Sequence, residues 1–168
     1  MKDNGSSKSS DSAVTPQGAP AQESPLAIRG QYIRDLSFEI PGAPESISGL
    51  KGAPNVDINI EVATRDLEAN TYEVALSIRC EAKTDTASIF ILELTYAGVF
   101  TLTGLGADQL KPALYIECPR YLFPFARSIV ASLTQESSLP PMLINPIDFA
   151  ALYQARYLEA QPGGKAAS

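Results

Sequence analysis

An α+β fold is the class this sequence predicts: a four-stranded antiparallel sheet with C-terminal helices packed on one face. Three observations carry the prediction. Four stretches of two-residue alternation occupy the chain up to residue 103, and helical periodicity takes over from residue 106. Strands come first and helices afterwards, without the strand–helix–strand alternation of a parallel sheet. A length of 168 residues allows one domain with tails, and a chain of that size buries roughly 70% of its unfolded surface.

Residues 1–25 (MKDNGSSKSSDSAVTPQGAPAQESP) are small, polar and proline-spotted, so residues 1–30 are expected to form a disordered tail ahead of a domain at 31–158. Gln31 to Ile40 alternates, with Tyr32, Leu36, Phe38 and Ile40 on one side and Asp35, Ser37 and Glu39 on the other. Arg34 is expected to point away from those acids. A Gly/Pro-rich connector, Pro41 to Asn55, follows. The next alternation sets Val56, Ile58, Ile60 and Val62 against Asp57, Asn59 and Glu61. Glu68-Ala69-Asn70 reads as a hairpin turn, after which Tyr72, Val74, Leu76, Ile78 and Cys80 oppose Glu73, Ser77, Arg79 and Glu81. The fourth stretch, Ser88 to Thr103, has Phe90, Leu92, Leu94 and Tyr96 on one face. Its other face is also partly apolar, through Ile89, Ile91 and Val99. A strand greasy on both sides is covered twice or awaits a partner.

Helical spacing begins at residue 106. Asp108 suits a first turn, Pro112 lies early in the segment, and Pro119 and Pro124 predict two helical pieces with a kink. The loop SSLPPMLINP precedes a last helix, expected to be capped by Asn145 with Pro146 as its first residue and an apolar stripe of Phe149, Leu152, Tyr153 and Tyr157. Residues 159–168 are expected to form a flexible tail.

Composition excludes several function classes. Thirteen basic and nineteen acidic residues give a net charge of -6, which disfavours nucleic acid and suits a basic partner. There is no histidine, so Ser-His or Cys-His nucleophiles and histidine-liganded metals are ruled out. Two cysteines, Cys80 and Cys118, lack CxxC spacing and read as buried thiols in a reducing compartment. Gly104-Leu105-Gly106 lacks the third glycine of a dinucleotide loop and reads as a strand-to-helix turn. No acid pair marks a catalytic dyad, so no catalytic residue, metal or cofactor is expected. Neither a basic-then-apolar leader nor an 18-residue apolar run occurs, so cytoplasmic localisation without membrane insertion is expected.

The run Cys118-Pro119-Arg120-Tyr121-Leu122-Phe123-Pro124-Phe125-Ala126-Arg127 resembles the C-P-x-x-L-F-P-[FY]-A-R motif of the SecB export-chaperone family. Asp35-Leu36-Ser37-Phe38-Glu39 with Pro41 and Ala43-Pro44, Tyr72-Glu73-Val74, Ala97-Gly98-Val99-Phe100 and Leu143-Ile144-Asn145-Pro146-Ile147-Asp148-Phe149 resemble further family segments in the same order. The resemblance implies a homotetramer, a dimer of dimers with helices between two outer sheets. It also implies unfolded preproteins as clients and the SecA translocation ATPase as partner. Carried over residue by residue, it implies SecA contacts at Asp35, Glu39, Ile91 and Glu93. The client groove would take Val56, Ile58 and Ile60 as floor, Phe149, Leu152 and Tyr153 as wall, and Leu50 in place of a tryptophan that some relatives carry. Phe90, Leu92, Leu94 and Tyr96 would affect subunit association. Two readings outside the resemblance remain at this point, a small-molecule-binding protein and an adaptor of the same α+β class.

Overall fold

A computed structural model describes residues 24–158. The strands are β1 (Leu26–Glu39), β2 (Asn55–Glu68), β3 (Thr71–Lys83) and β4 (Ser88–Leu102), with a single-turn helix α1 (Glu45–Ser48) between the first two. After β4 come α2 (Ala107–Pro112), a π-helical turn (Ala113–Glu117), α3 (Cys118–Glu136), α4 (Phe149–Tyr153) and a second π-helical turn (Gln154–Leu158). The strands form one antiparallel sheet in the order β1-β4-β3-β2, so β1 and β2 are its edges. The expected α+β class is the one found.

β3 follows the expected alternation, as do β2 and β4 apart from one extra residue each: Leu67 near the end of β2, and Ile89 near the start of β4, which is buried rather than on the outer face as expected. Register sets Leu92 beside Cys80 and Leu94 beside Ile78, and Cys80 and Ile78 lie beside Ile58 and Ile60 of β2. This inner face is covered by α3, which lies across β3 and β4. Leu122, Ala126, Val130 and Thr134 of α3 are fully buried against it, at the four-residue spacing that puts them on one helix stripe. The contact is closest at Gly98, where a Cβ would stand 2.8 Å from Phe100 Cε2 and 2.9 Å from Leu122 Cδ2. The hairpin between β2 and β3 turns at Asn70, with φ of 59°, a left-handed conformation that asparagine tolerates.

β1 departs from expectation twice. It starts at Leu26, so Leu26 to Gly30 belong to the sheet and not to a tail; Leu26 pairs with Leu102 and Ile28 with Phe100. Ser24 and Pro25 lead into β1, the Pro25 carbonyl accepting from the Thr103 amide at 2.9 Å, and the rest of the expected tails, residues 1–23 and 159–168, lies outside the described residues. β1 also carries register shifts between Ile28 and Gly30 and between Ile33 and Asp35. Each inserts one residue, so the side chains before it change faces. Leu36 and Phe38 stay on the inner face, but Tyr32 moves to the outer one, contrary to the simple alternation.

The helical region shows two further differences. The expected break does not fall at Pro119 or Pro124, which lie at the start of α3 and inside it; a π-helical turn, Ala113–Glu117, separates α2 from α3 instead. The last helix is capped by Asp148, whose side chain accepts from the Ala151 amide at 3.0 Å, and not by Asn145. Residues 140–148 therefore run as an irregular strap from α3 to α4.

Candidate functional site: an apolar groove and an acidic sheet face

One end of the sheet opens into an apolar cavity of about 560 Å³ between the connector before β2 and the strap after α3. Leu50, Pro54 and Val56 line one side, Leu139 and Met142 the other, with Ile89 and Phe90 at the base. The strap is held by a buried threonine. Thr134 Oγ1 accepts from the Met142 amide at 2.9 Å and donates within its own helix, toward the Ala131 carbonyl at 3.0 Å. The Leu139 amide also donates to the Thr134 carbonyl at 3.1 Å. Pro140 and Pro141 keep the intervening backbone extended.

The groove residues named from sequence divide. Leu50 and Val56 line the cavity. Ile58 is exposed two residues further along the edge strand, and Ile60 is half-buried against the core. Phe149 is a correction: it is buried in the core, with its ring edge-on to Phe123 at 6.1 Å, and offers no wall. Tyr153 is likewise buried, stacked on Tyr115 at 5.8 Å, and Leu152 beside it is half-buried. The wall is instead the strap, whose only sequence signal was the apolar, proline-paired run LPPML. An apolar concavity beside exposed valine and isoleucine on an edge strand can take the side chains of an extended chain, whose backbone can pair with that edge.

The opposite, outer face is acidic. Register puts Glu39 beside Ile91, Ser37 beside Glu93, and Asp35 beside Thr95, so Asp35, Glu39, Ile91 and Glu93 share this face as expected. Glu81 and Asp57 continue the row of Ile91, and Glu61 the row of Thr95. Arg79, expected on this polar side of its strand, is a cation among them. Arg79 stands opposite Glu93 and pairs with it and, at 3.6 Å, with Glu81.

Further along the same face, Glu73 is only 2% exposed and ties three strands together. It accepts from the Tyr32 hydroxyl at 2.9 Å, pairs with Arg34 at 3.4 Å, and pairs with Arg65 of β2. Burial pushes its carboxyl up, but those hydrogen bonds and the two arginine charges outweigh burial and hold it below the usual carboxylate range. Arg34 thus projects to the outer face, contrary to expectation, because it is the extra residue of the second bulge.

The association candidates Phe90, Leu92, Leu94 and Tyr96 are also corrected. All four are buried within the protomer, Phe90 at the base of the groove, so they present no face to a second copy. What is exposed is the next layer outward: Tyr121 and Phe125 on α3, with Ile28, Ile33 and Leu36 on the uncovered inner side of β1. Phe125 stacks on Tyr96 at 6.1 Å, which links this surface to the buried row. Both thiols are raised by burial, Cys80 to about 11 and Cys118 to about 12, so both stay protonated at neutral pH. Among the described residues no group of three or more Cys, Asp or Glu is placed to hold a metal, and no helix is long and apolar enough to cross a membrane.

Comparison with known proteins agrees with this architecture. A sequence profile described as "Preprotein translocase subunit SecB" matches residues 19–160. The protein-export protein SecB of Granulibacter bethesdensis is 47% identical over 162 residues, covering 90% of this chain and 95% of that relative. That of Paramagnetospirillum magneticum is 50% identical over 154 residues, covering 89% and 99%. A SecB-like chaperone of Mycobacterium tuberculosis, solved in complex with an antitoxin peptide, shares the fold at a TM-score of 0.59 and 18% identity, over 73% of this chain and 90% of that one. The chain belongs to the SecB family of protein-export chaperones.

Proposed function

We propose that this export chaperone holds unfolded preproteins in the apolar groove and passes them to the SecA ATPase through the acidic sheet face, working as a cytoplasmic homotetramer without catalytic chemistry of its own. The observation that carries the reading is the open cavity of about 560 Å³ beside exposed Val56 and Ile58 on the unpaired edge of β2. Folded proteins bury their long apolar segments, so such a groove selects unfolded ones. Many weak apolar contacts plus backbone pairing favour breadth over sequence reading. The peptide in the solved SecB-like chaperone of Mycobacterium tuberculosis supports peptide binding by this fold.

Asp35, Glu39 and Glu93 around Ile91 suit a basic partner with an apolar contact, which supports SecA docking there. The apolar surface of Tyr121, Phe125, Ile33 and Leu36, adjoining the unpaired edge of β1, supports self-association. Asp35→Lys combined with Glu93→Lys is expected to abolish SecA binding in calorimetric titration at low salt, while suppression of precursor aggregation stays at the wild-type level. Unchanged SecA affinity at low salt would place docking elsewhere. Loss of both activities would mean that the two surfaces are not separate.

A further inference from the structure

The outer-face acids are not equally available. Asp35 and Glu39 on β1 and Asp57 on β2 form no ion pair among the described residues. Glu93 is held by Arg79, Glu81 is shared between Arg79 and Lys83 at 3.6 and 3.1 Å, and Glu61 is taken by Arg156 at 3.4 Å. Arg79 is placed by the ladders themselves. It lies opposite Glu93 of β4 and Asn59 of β2, with Ser77 and Glu81 two residues away on its own strand. Three adjacent rows cross the face here: Glu39-Ile91-Glu81-Asp57, Ser37-Glu93-Arg79-Asn59 and Asp35-Thr95-Ser77-Glu61. Arg79 is the single cation among them. Its side chain is half-exposed, so it meets whatever docks.

We infer that Arg79 is a specificity-determining residue of this face, a built-in cation that occupies Glu93 and Glu81 and repels basic proteins that lack a matched docking surface. The inference rests on the docking reading above. A partner that brings a cation to Glu93 breaks the internal pair to form its own, so only the difference between the two appears as affinity. Arg79 itself repels that cation, well within a screening length of about 10 Å at moderate salt. A uniformly acidic sheet would attract any basic protein; a cation at its centre discriminates by repulsion. The free acids Asp35 and Glu39 then provide the first contacts, and Glu93 exchanges partners as docking completes.

Titration of SecA against full-length wild type, Arg79→Gln, Arg79→Thr and Arg79→Lys at low and high salt tests this, with the Asp35→Lys/Glu93→Lys protein as reference. The neutral variants are expected to bind about fivefold tighter at low salt, the scale of an exposed ion pair. The gain should shrink at high salt, and Arg79→Lys should follow wild type. Threonine suits a strand, so Arg79→Thr guards against a folding defect in Arg79→Gln. Unchanged or weaker binding by the neutral variants overturns the inference, as does equal tightening by Arg79→Lys. If the reference protein loses SecA while the neutral variants gain nothing, only the role of Arg79 fails. If the reference protein binds as wild type does, the docking reading fails, and the inference with it.

Discussion

Glu73 makes the outer face more than a display of charge. Its carboxylate is surrounded by Tyr32 and Arg34 from β1, Arg65 from β2 and Val99 from β4, so it braces the bulged edge strand from the centre of the sheet. Because its folded-state pKa lies below the ordinary value, its stabilisation is complete above the unfolded pKa and is lost as pH falls through the folded one. Glu73→Gln keeps the shape and removes the charge. Urea unfolding should show wild type more stable by about 1–3 kcal/mol at pH 7, the cost of losing charged hydrogen bonds. The gap should close as pH falls below the usual carboxylate range. A gap that stays constant with pH would remove the charge from the account. None of this was legible in advance, since Tyr72-Glu73-Val74 reads as ordinary alternation and the partners Tyr32 and Arg34 seemed to face elsewhere.

Among the elements, β2, β3 and β4 were readable because a sheet covered on one side imposes a period of two that they keep, save for one extra residue near an end of β2 and of β4. β1 was not, because its two bulges each shift the phase by one residue, and sequence alternation alone does not show where an extra residue is inserted. Asp35 and Glu39 keep the expected face because they lie beyond the second bulge of β1, and Glu93 because it lies in the regular part of β4. The groove was legible only on its strand side. Its other wall is an irregular strap tied to α3 by the side chain of Thr134, whose hydroxyl reaches eight residues along the chain. Phe149 was misread as wall because an apolar helical stripe does not say which of its members meets the core and which meets a ligand. Thr134→Val leaves the Met142 amide without its acceptor, at an expected cost of about 1–3 kcal/mol. Hydrogen exchange at Met142 should accelerate and client affinity should fall. Unaltered exchange would show that the strap is held by its packing alone.

At the scale of the whole molecule, the described residues leave apolar surface beside α3 and β1 and beside β2, each with a different proposed occupant. Under the proposed function the α3–β1 surface takes a second copy of the chain. Light scattering at micromolar concentration should give the mass of a tetramer, and Phe125→Asp, an exposed position, should lower it without unfolding the protomer. Leu94→Asp, by contrast, would place a charge in the core and unfold the chain rather than separate subunits. The other surface, beside β2, is the proposed client site, and this is the central claim. Its most direct test is titration of a denatured secretory precursor onto the protein without nucleotide, comparing wild type with a Val56→Asp/Ile58→Asp variant. Both positions are exposed, so the fold should survive the change. The account predicts that wild type binds the denatured precursor and not the native one, and that the variant, still tetrameric, binds at least about tenfold more weakly, a difference near 1.4 kcal/mol. Equal binding by the folded variant, or a nucleotide requirement in wild type, would contradict it.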